Sequence, residues 1–323
     1  MKFKFSKVID KRWGVAFIVF AGLLWGTSGV FVTYLSEYGF TSIQMTATRS
    51  GVSALILLVY SLLQSRACFR VSKREIPVHL LLAVTLFFSC YLYYTSMVRT
   101  SVATAVSLLN MHPVYVTVIS AIVYRERVSL PKIGSILAMV IGGCLVSGIV
   151  GGLEIDPVGI LFGLLSGVSY ACYILICKYY NGKNMSASSA NLYSFVFMAI
   201  IAVSLCEPAD YINRAITNAL PAIPLLIGLA ICTFVVPFVL NGMALKALPA
   251  GTVSALSVFE PFSATVYSVL LFGEELEIAQ IVGIALILGA AVLLGFMETR
   301  TDADGDGVSA ESVGDLILPH TGQ

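Results

Sequence analysis

The chain has 323 residues, of which 58% are hydrophobic and only 11% charged, and its formal net charge is +1. Soluble chains carry about 25% charged residues, so this composition excludes a soluble globular fold and predicts a polytopic membrane protein. The near-neutral total is uninformative, because orientation depends on how the charges are shared among the loops.

In chain order, MKFKFSKVIDKR imitates the start of a signal peptide. The apolar run that follows, 13–35, is too long for one and shows no convincing small-x-small cleavage site, so it is predicted as a retained first helix. Further runs long enough to span, roughly 20 residues each, fall near 42–63, 78–98, 102–124, 130–150, 157–179, 187–206, 221–244, 250–272 and 277–297. Ten helices result. Alternate loops and both chain ends then collect the basic residues: the Lys2 to Arg12 cluster, Arg66 to Arg74, Arg125, Arg127, Lys132, Lys178, Lys183, Lys246 and Arg300. Only Arg99 and Arg214 fall in the opposite loops. Positive-inside bias therefore predicts a cytoplasmic-membrane protein with both termini in the cytoplasm. The seven cysteines are scattered through apolar runs without a CxxC pair and read as small buried residues.

The stretch that organises the chain is 251–272, GTVSALSVFEPFSATVYSVLLF. Glu260 lies about nine residues in, roughly 14 Å deep at the rise of a helix. An ionisable residue at that depth marks a functional site by default. Pro261 beside it predicts a kink that frees backbone carbonyls. The stretch has an earlier copy. At an offset of 148, Thr104, Leu108, Pro113, Thr117, Ser120 and Glu126 repeat as Thr252, Leu256, Pro261, Thr265, Ser268 and Glu274, and His112 stands where Glu260 stands. At an offset of 145, Gly14, Phe17, Gly22 and Tyr34 repeat as Gly159, Phe162, Gly167 and Tyr179. Each half holds five helices, an odd number, so the copies must run in opposite senses through the membrane. The expected fold is all-α: ten transmembrane helices as two inverted five-helix repeats, with a binding site near the midplane between them.

With LLWGTSGV in the first helix, ATRSGVSAL in the second and VFEPFSATVYSVLLFGEELEIAQIVGIALILGAAVLL through the last two, the sequence resembles the drug/metabolite transporter superfamily, in its ten-helix EamA-like branch. The resemblance covers about residues 13–297 and implies a carrier of small organic solutes, by default an exporter. It divides the chain into a cytoplasmic segment 1–12, a first EamA-like repeat 13–150, a second 157–297 and a disordered cytoplasmic tail 298–323.

As pseudo-symmetric residues at similar depth, Glu260 and His112 could face one another across a cavity, Glu260 taking a proton or a substrate amine. Alternatively, each satisfies a backbone group freed beside its proline, Pro261 or Pro113. Arg49 is a fork-shaped donor for a carboxylate, or a structural lock that snorkels or bonds a neighbouring helix end. Trp25 and its counterpart Tyr170, Tyr91 and Tyr94 on one face of the third helix, and Asn110 and Asn241 at membrane depth complete the candidate substrate-binding set. Gly142-Gly143 and Gly289-Ala290-Ala291 read as close helix packing. DADGDGVSAESV (302–313) opens like a calcium loop but has Val313 at its twelfth position, and the Asn184 sequon falls in a loop assigned to the cytoplasm. No metal, cofactor or nucleic acid is expected. The expected partners are a small solute and the bilayer, with a proton as candidate coupling ion and a homodimer as candidate assembly. The function predicted is alternating-access transport of small metabolites such as amino acids or related amphipathic compounds. The alternative is a polytopic enzyme acting on a lipid-linked substrate.

Overall fold

The computed structural model describes residues 10–64, 69, 71–72, 75–123, 129–146, 156–181 and 187–303, and within them every regular element is helical. The helices are α1 (Lys11–Gly26), α2 (Ser28–Glu37), α3 (Ser42–Gln64), α4 (Ile76–Arg99), α5 (Val102–Leu109), α6 (His112–Val123) and α7 (Leu130–Val146) in the first half. The second half holds α8 (Pro157–Asn181), α9 (Ala187–Leu205), α10 (Pro208–Thr217), α11 (Ala219–Ala230), α12 (Val236–Ala247), α13 (Ala250–Leu256), α14 (Phe259–Phe272) and α15 (Ile278–Ala303). A single π-helical turn, Ile231–Val235, joins α11 to α12.

Among the described residues seven stretches are long and apolar enough to cross a membrane: Lys11–Glu37, Ser42–Leu62, Ile76–Arg99, Val102–Val123, Pro157–Cys177, Ala219–Ala247 and Ile278–Gly295. An eighth is bent, because α9 and α10 meet at 92°. The apolar helices α7 and α14 are shorter, at 17 and 14 residues. α15 continues to Ala303, past residue 298 where the sequence places the start of a disordered tail. The remainder of that tail with most of the calcium-loop-like run, the Asn184 sequon and residues 1–9 lie outside the described residues.

The distribution of side chains is that of a bundle in lipid. Phe20, Leu55, Leu80, Phe88, Ile122, Leu270 and Leu293 face outward, while Thr46, Ser50, Ser96, Ser166 and Thr233 are buried. The buried hydroxyls turn back on their own helices or bridge to another. Ser50 Oγ donates to the Thr46 carbonyl at 2.7 Å, and Ser96 Oγ crosses from α4 to the Gly159 carbonyl of α8 at 2.8 Å. Where no water is available, each such group needs a protein partner.

Glycines set the close approaches. A Cβ on Gly142 of α7 would lie 2.7 Å from the Gly283 carbonyl of α15, and one on Gly283 would lie 2.6 Å from the Gly142 carbonyl, so the two backbones touch. Gly14 packs α1 on Ala247, with its repeat counterpart Gly159 packing α8 on Thr100. Gly22 lets α1 reach Phe259 at the start of α14, with its counterpart Gly167 letting α8 reach the Leu108 and Leu109 carbonyls at the end of α5. Thus α1 packs on α12 and α14, and α8 packs on α4, α5 and α6. Asp156, just before α8, caps it through the Val158 and Gly159 N–H groups at 2.9 and 3.0 Å and pairs with Arg99 Nε at 2.8 Å. The Gly159 N–H, and then Arg99, hold this carboxyl below the usual carboxylate range.

Candidate functional site

Three of the apolar runs do not form continuous helices. The first breaks at Thr27 between α1 and α2, the fourth at Asn110 and Met111 between α5 and α6, and the ninth at Ser257 and Val258 between α13 and α14. Pro113 and Pro261, the residues expected to kink their helices, stand just after the second and third of these breaks. Each proline sits in the first turn of a new helix, α6 or α14, where its missing N–H removes no intrahelical bond. Short contacts bridge the breaks. Thr27 Oγ1 donates to the Leu24 carbonyl at 2.6 Å, Asn110 Nδ2 to the Val106 carbonyl at 2.9 Å, and His112 Nδ1 lies 3.3 Å from the Leu109 carbonyl.

The breaks converge on a cavity of about 290 Å3 between the two halves of the chain. This is near the lower end of the volumes typical of small-ligand sites, about 300–1,000 Å3. Its walls include Trp25 and Ser28 from the first break, Asn110 and His112 from the second, Ser257 and Glu260 from the third, and Thr233 from the π turn. Of the residues singled out in the sequence, Trp25, Arg49, Asn110, His112, Tyr170, Asn241 and Glu260 line it.

Tyr91 and Tyr94 do not. Tyr91 stacks on Phe87 at 5.9 Å between centroids, and Tyr94 is fully buried behind Arg49. The face of α4 that meets the cavity is Leu86, Ser89, Cys90 and Tyr93, a helical i, i+3, i+4, i+7 set. Choosing the tyrosine pair three apart selected the neighbouring face. The small and polar stripe of Ser89, Cys90 and Tyr93 was the signal available.

Arg49 neither snorkels nor stands free. Nη1 donates to Tyr94 Oη at 2.7 Å, Nη2 to the Thr233 carbonyl at 3.4 Å, and the guanidinium lies over the Phe234 ring at 4.9 Å. This acceptor lies within the π turn Ile231–Val235. Glu260 occupies the first turn of α14, where the free N–H groups favour negative charge. It is the one carboxylate on the cavity wall among the described residues. Aromatic edges complete the enclosure, Trp25 against Phe238 at 6.1 Å and Tyr170 against His112 at 5.0 Å.

At one end the cavity reaches Leu245 and Val253, on either side of the turn joining α12 to α13. The opposite end is closed by a core of Val32, Leu35, Phe40, Met45, Tyr94, Met97, Leu226 and Leu229 drawn from both halves. Over that core lies α10, its Ile212 and Ile216 exposed and its polar side bonded to the first half. Gln44 Nε2 donates to Asp210 Oδ2 at 2.8 Å, Asp210 pairs with Arg214 Nε at 2.7 Å, Arg214 Nη1 donates to the Gly39 carbonyl, and Thr48 Oγ1 and Tyr211 Oη are 2.8 Å apart. Gly39 has φ +80°, which suits a glycine in the turn that offers its carbonyl.

The model of the EamA-like transporter family matches residues 12–148 and again 157–296. The chain belongs to that family. An uncharacterized transporter of Archaeoglobus fulgidus is 30% identical over 287 residues, 89% of this chain and 97% of that one. The uncharacterized transporter YwfM of Bacillus subtilis is 29% identical, covering 84% and 90% of the two chains. The uncharacterized inner membrane transporter YicL of Salmonella typhimurium is 24% identical, covering 90% and 97%. A solved crystal structure superposes with a TM-score of 0.59 at 18% identity over 90% of this chain and 98% of that one, a likeness of fold alone. The protein is therefore a multi-pass membrane transporter of the EamA-like family, with helices broken around a cavity between its halves.

Proposed function

We propose that this EamA-like transporter exports small amphipathic metabolites, amino acids first, across the cytoplasmic membrane by alternating access between two inverted five-helix halves. The observation that carries the reading is the meeting of three broken helices and a π turn at one cavity holding a carboxylate, a guanidinium and aromatic edges. Discontinuous helices place half-helix ends, and so partial charges, at the midplane where a solute must pause. The packing supports the inversion. α1 meets α12 and α14 as α8 meets α4, α5 and α6, and the breaks before His112 and Glu260 fall one repeat apart. Ten spans follow if α7, α14 and the bent pair are counted with the seven long stretches. The direction of transport rests on the family resemblance, and the cytoplasmic placing of the Lys11 and Lys246 end rests on the positive-inside bias.

The test is thermal stabilisation of the purified protein by amino acids, sugars, nucleosides and amphipathic amines, since a ligand bound only to the folded state raises its melting temperature by mass action. A concentration-dependent shift confined to amino acids and related amines is expected. Shifts with sugars or nucleosides alone, or none in a well-folded preparation, would reject the substrate class.

In this cycle the Gln44–Asp210–Arg214–Gly39 cluster is the latch of the closed end. Asp210→Asn is expected to loosen it, because the pair with Arg214 loses its charge. The measurement is hydrogen exchange of residues 36–44 and 208–218, which should quicken severalfold while exchange in α7 and α15 stays unchanged. Equal protection in both segments would show that the apolar core alone closes this end.

A further inference from the structure

Helix α10 has no counterpart among the apolar runs of the sequence, which stop at 206 and resume at 221. Local signals build it. Pro208 opens it, where a missing N–H removes no intrahelical bond, Asp210 stands in its first turn and Arg214 in its last, each charge matching the helix dipole. Its ten residues make a helix about 15 Å long, half of what a hydrocarbon core of about 30 Å requires. It leaves α9 at 92° at the closed end, so where α9 runs along the membrane normal α10 lies along the surface.

The sides of α10 are sorted lengthwise. Tyr211 and Ala215 pack on the apolar core that closes this end, Tyr211 edge-on to Phe40 at 6.0 Å between centroids. Asp210 and Arg214 bond Gln44 and Gly39 of the first half. The remaining, exposed face has two flanks about 100° apart, Ile212 and Ile216 on one, Asn213 and Thr217 on the other. Water on both flanks would leave two isoleucines bare, and lipid on both would strand the Asn213 amide. A boundary between water and lipid suits each flank. The apolar flank also continues into the surface that the spans present to lipid. Val203 and Leu205 at the end of α9 precede it, and Leu220, 92% exposed, Ile223 and Ile227 of α11 follow Ile216 at intervals of four, three and four residues.

We propose that α10 docks on the bilayer as an interfacial helix, Ile212 and Ile216 among the acyl chains of the leaflet at the closed end and Asn213 and Thr217 in water, and that this seat holds the latch made by Asp210 and Arg214. The positive-inside bias makes that leaflet the outer one. Lipid is the occupant because the flank is continuous with the lipid-facing wall and carries no charge or hydrogen-bonding group for a protein partner to read. Asp210, Ile212, Arg214 and Ile216 alternate within two turns of one helix, so displacing the lipid flank moves the latch. The seat of α10 does not depend on which solute the cavity holds.

The experiment places one nitroxide at a time, through Ile212→Cys, Asn213→Cys, Ile216→Cys or Thr217→Cys, on the full-length chain with its seven cysteines replaced by alanine or serine, in phosphatidylcholine vesicles. Collision with oxygen, which concentrates in lipid, is compared with collision with a water-soluble nickel chelate. Phe88→Cys, on the outward face of α4, supplies the lipid reference. Labels at 212 and 216 should favour oxygen and those at 213 and 217 the nickel chelate, with ratios differing severalfold. All four favouring nickel would put α10 in water, and all four favouring oxygen would make it a re-entrant segment. Labels at 212 and 216 shielded from both reagents would show a second copy or another protein on that flank. Each of these results overturns the interfacial seat. In the otherwise unmodified chain, Ile212→Ser combined with Ile216→Ser should quicken hydrogen exchange of residues 36–44 severalfold in the same vesicles, with exchange in α7 and α15 unchanged. Unchanged exchange at 36–44 would overturn the hold of the lipid seat on the latch. The label comparison decides the seat even if the double variant fails to fold.

Discussion

Glu260→Gln sharply slows solute movement in reconstituted vesicles and leaves the protein folded: that is the first expected result. Glu260 lies in the opening turn of α14, and Gln keeps its size and its acceptor oxygen while removing the charge. Nothing in the packing of α1 on α14 depends on that charge. Gly22 and Gly26 meet the backbone of Phe259, Glu260 and Ala264 and the side chains of Phe259 and Ser263, not the carboxylate. The melting temperature should therefore stay within a few degrees of the unmodified protein. A charge-assisted hydrogen bond to a solute ammonium contributes about 1.5–3 kcal/mol, so its loss weakens binding by about 10- to 150-fold. If the same carboxylate exchanges a proton during the cycle, uptake by the unmodified protein varies with pH and the residual uptake of Glu260→Gln does not. Vesicle uptake with unchanged KM and unchanged pH profile in Glu260→Gln would remove Glu260 from the mechanism and return it to a structural role beside Pro261.

The seven long spans were legible because each must supply roughly 20 apolar residues, a constraint that acts on composition alone. The exact residues of the interruptions within them were not, although two of the three fall just before Pro113 and Pro261. Thr27, Asn110 and Ser257 sit in runs as apolar as their neighbours, and helix breaks there are decided by what the freed carbonyls and N–H groups can find in the fold. The π turn Ile231–Val235 has a sequence, ICTFV, that reads as ordinary helix. Pro113 and Pro261 were seen at once as places of interruption, and each stands just after one. A proline in the middle of a span and one opening a half-helix give the same string of letters, and only the chain before it distinguishes them. Arg49, His112 and Glu260 stood out because charge in a membrane is rare enough to need a reason. Tyr93 did not, since Tyr91, Tyr93 and Tyr94 are alike in composition and differ only in the direction they leave α4.

The largest expected effect on stability comes from a glycine. A Cβ at Gly26 would sit 2.8 Å from the Ala264 amide nitrogen and 3.0 Å from the Glu260 carbonyl, and would overlap Ser263 Oγ. Two of those neighbours are backbone, so no rotamer change relieves them, and α1 must move away from α14. Overpacking of this kind costs about 1–3 kcal/mol, occasionally more. Gly26→Ala should lower the melting temperature clearly, and Gly26→Val should prevent assembly of a stable bundle. Gly51 on α3 supplies the control: a Cβ there meets nothing within 4 Å, so Gly51→Ala should be neutral or should stabilise by about 0.5–1 kcal/mol through reduced chain entropy. The position of Gly26 gives the comparison a functional edge. It stands between Trp25 and Ser28, which line the cavity, and faces the turn that carries Glu260. A Gly26→Ala protein that folds should therefore also bind solute more weakly, because any retreat of α1 moves Trp25 and Ser28 away from Glu260. Lost stability with unchanged affinity would show that the cavity tolerates movement of α1 and that its binding groups lie on the other helices. Unchanged stability would mean that α1 and α14 part at no cost, as a moving boundary between the halves requires.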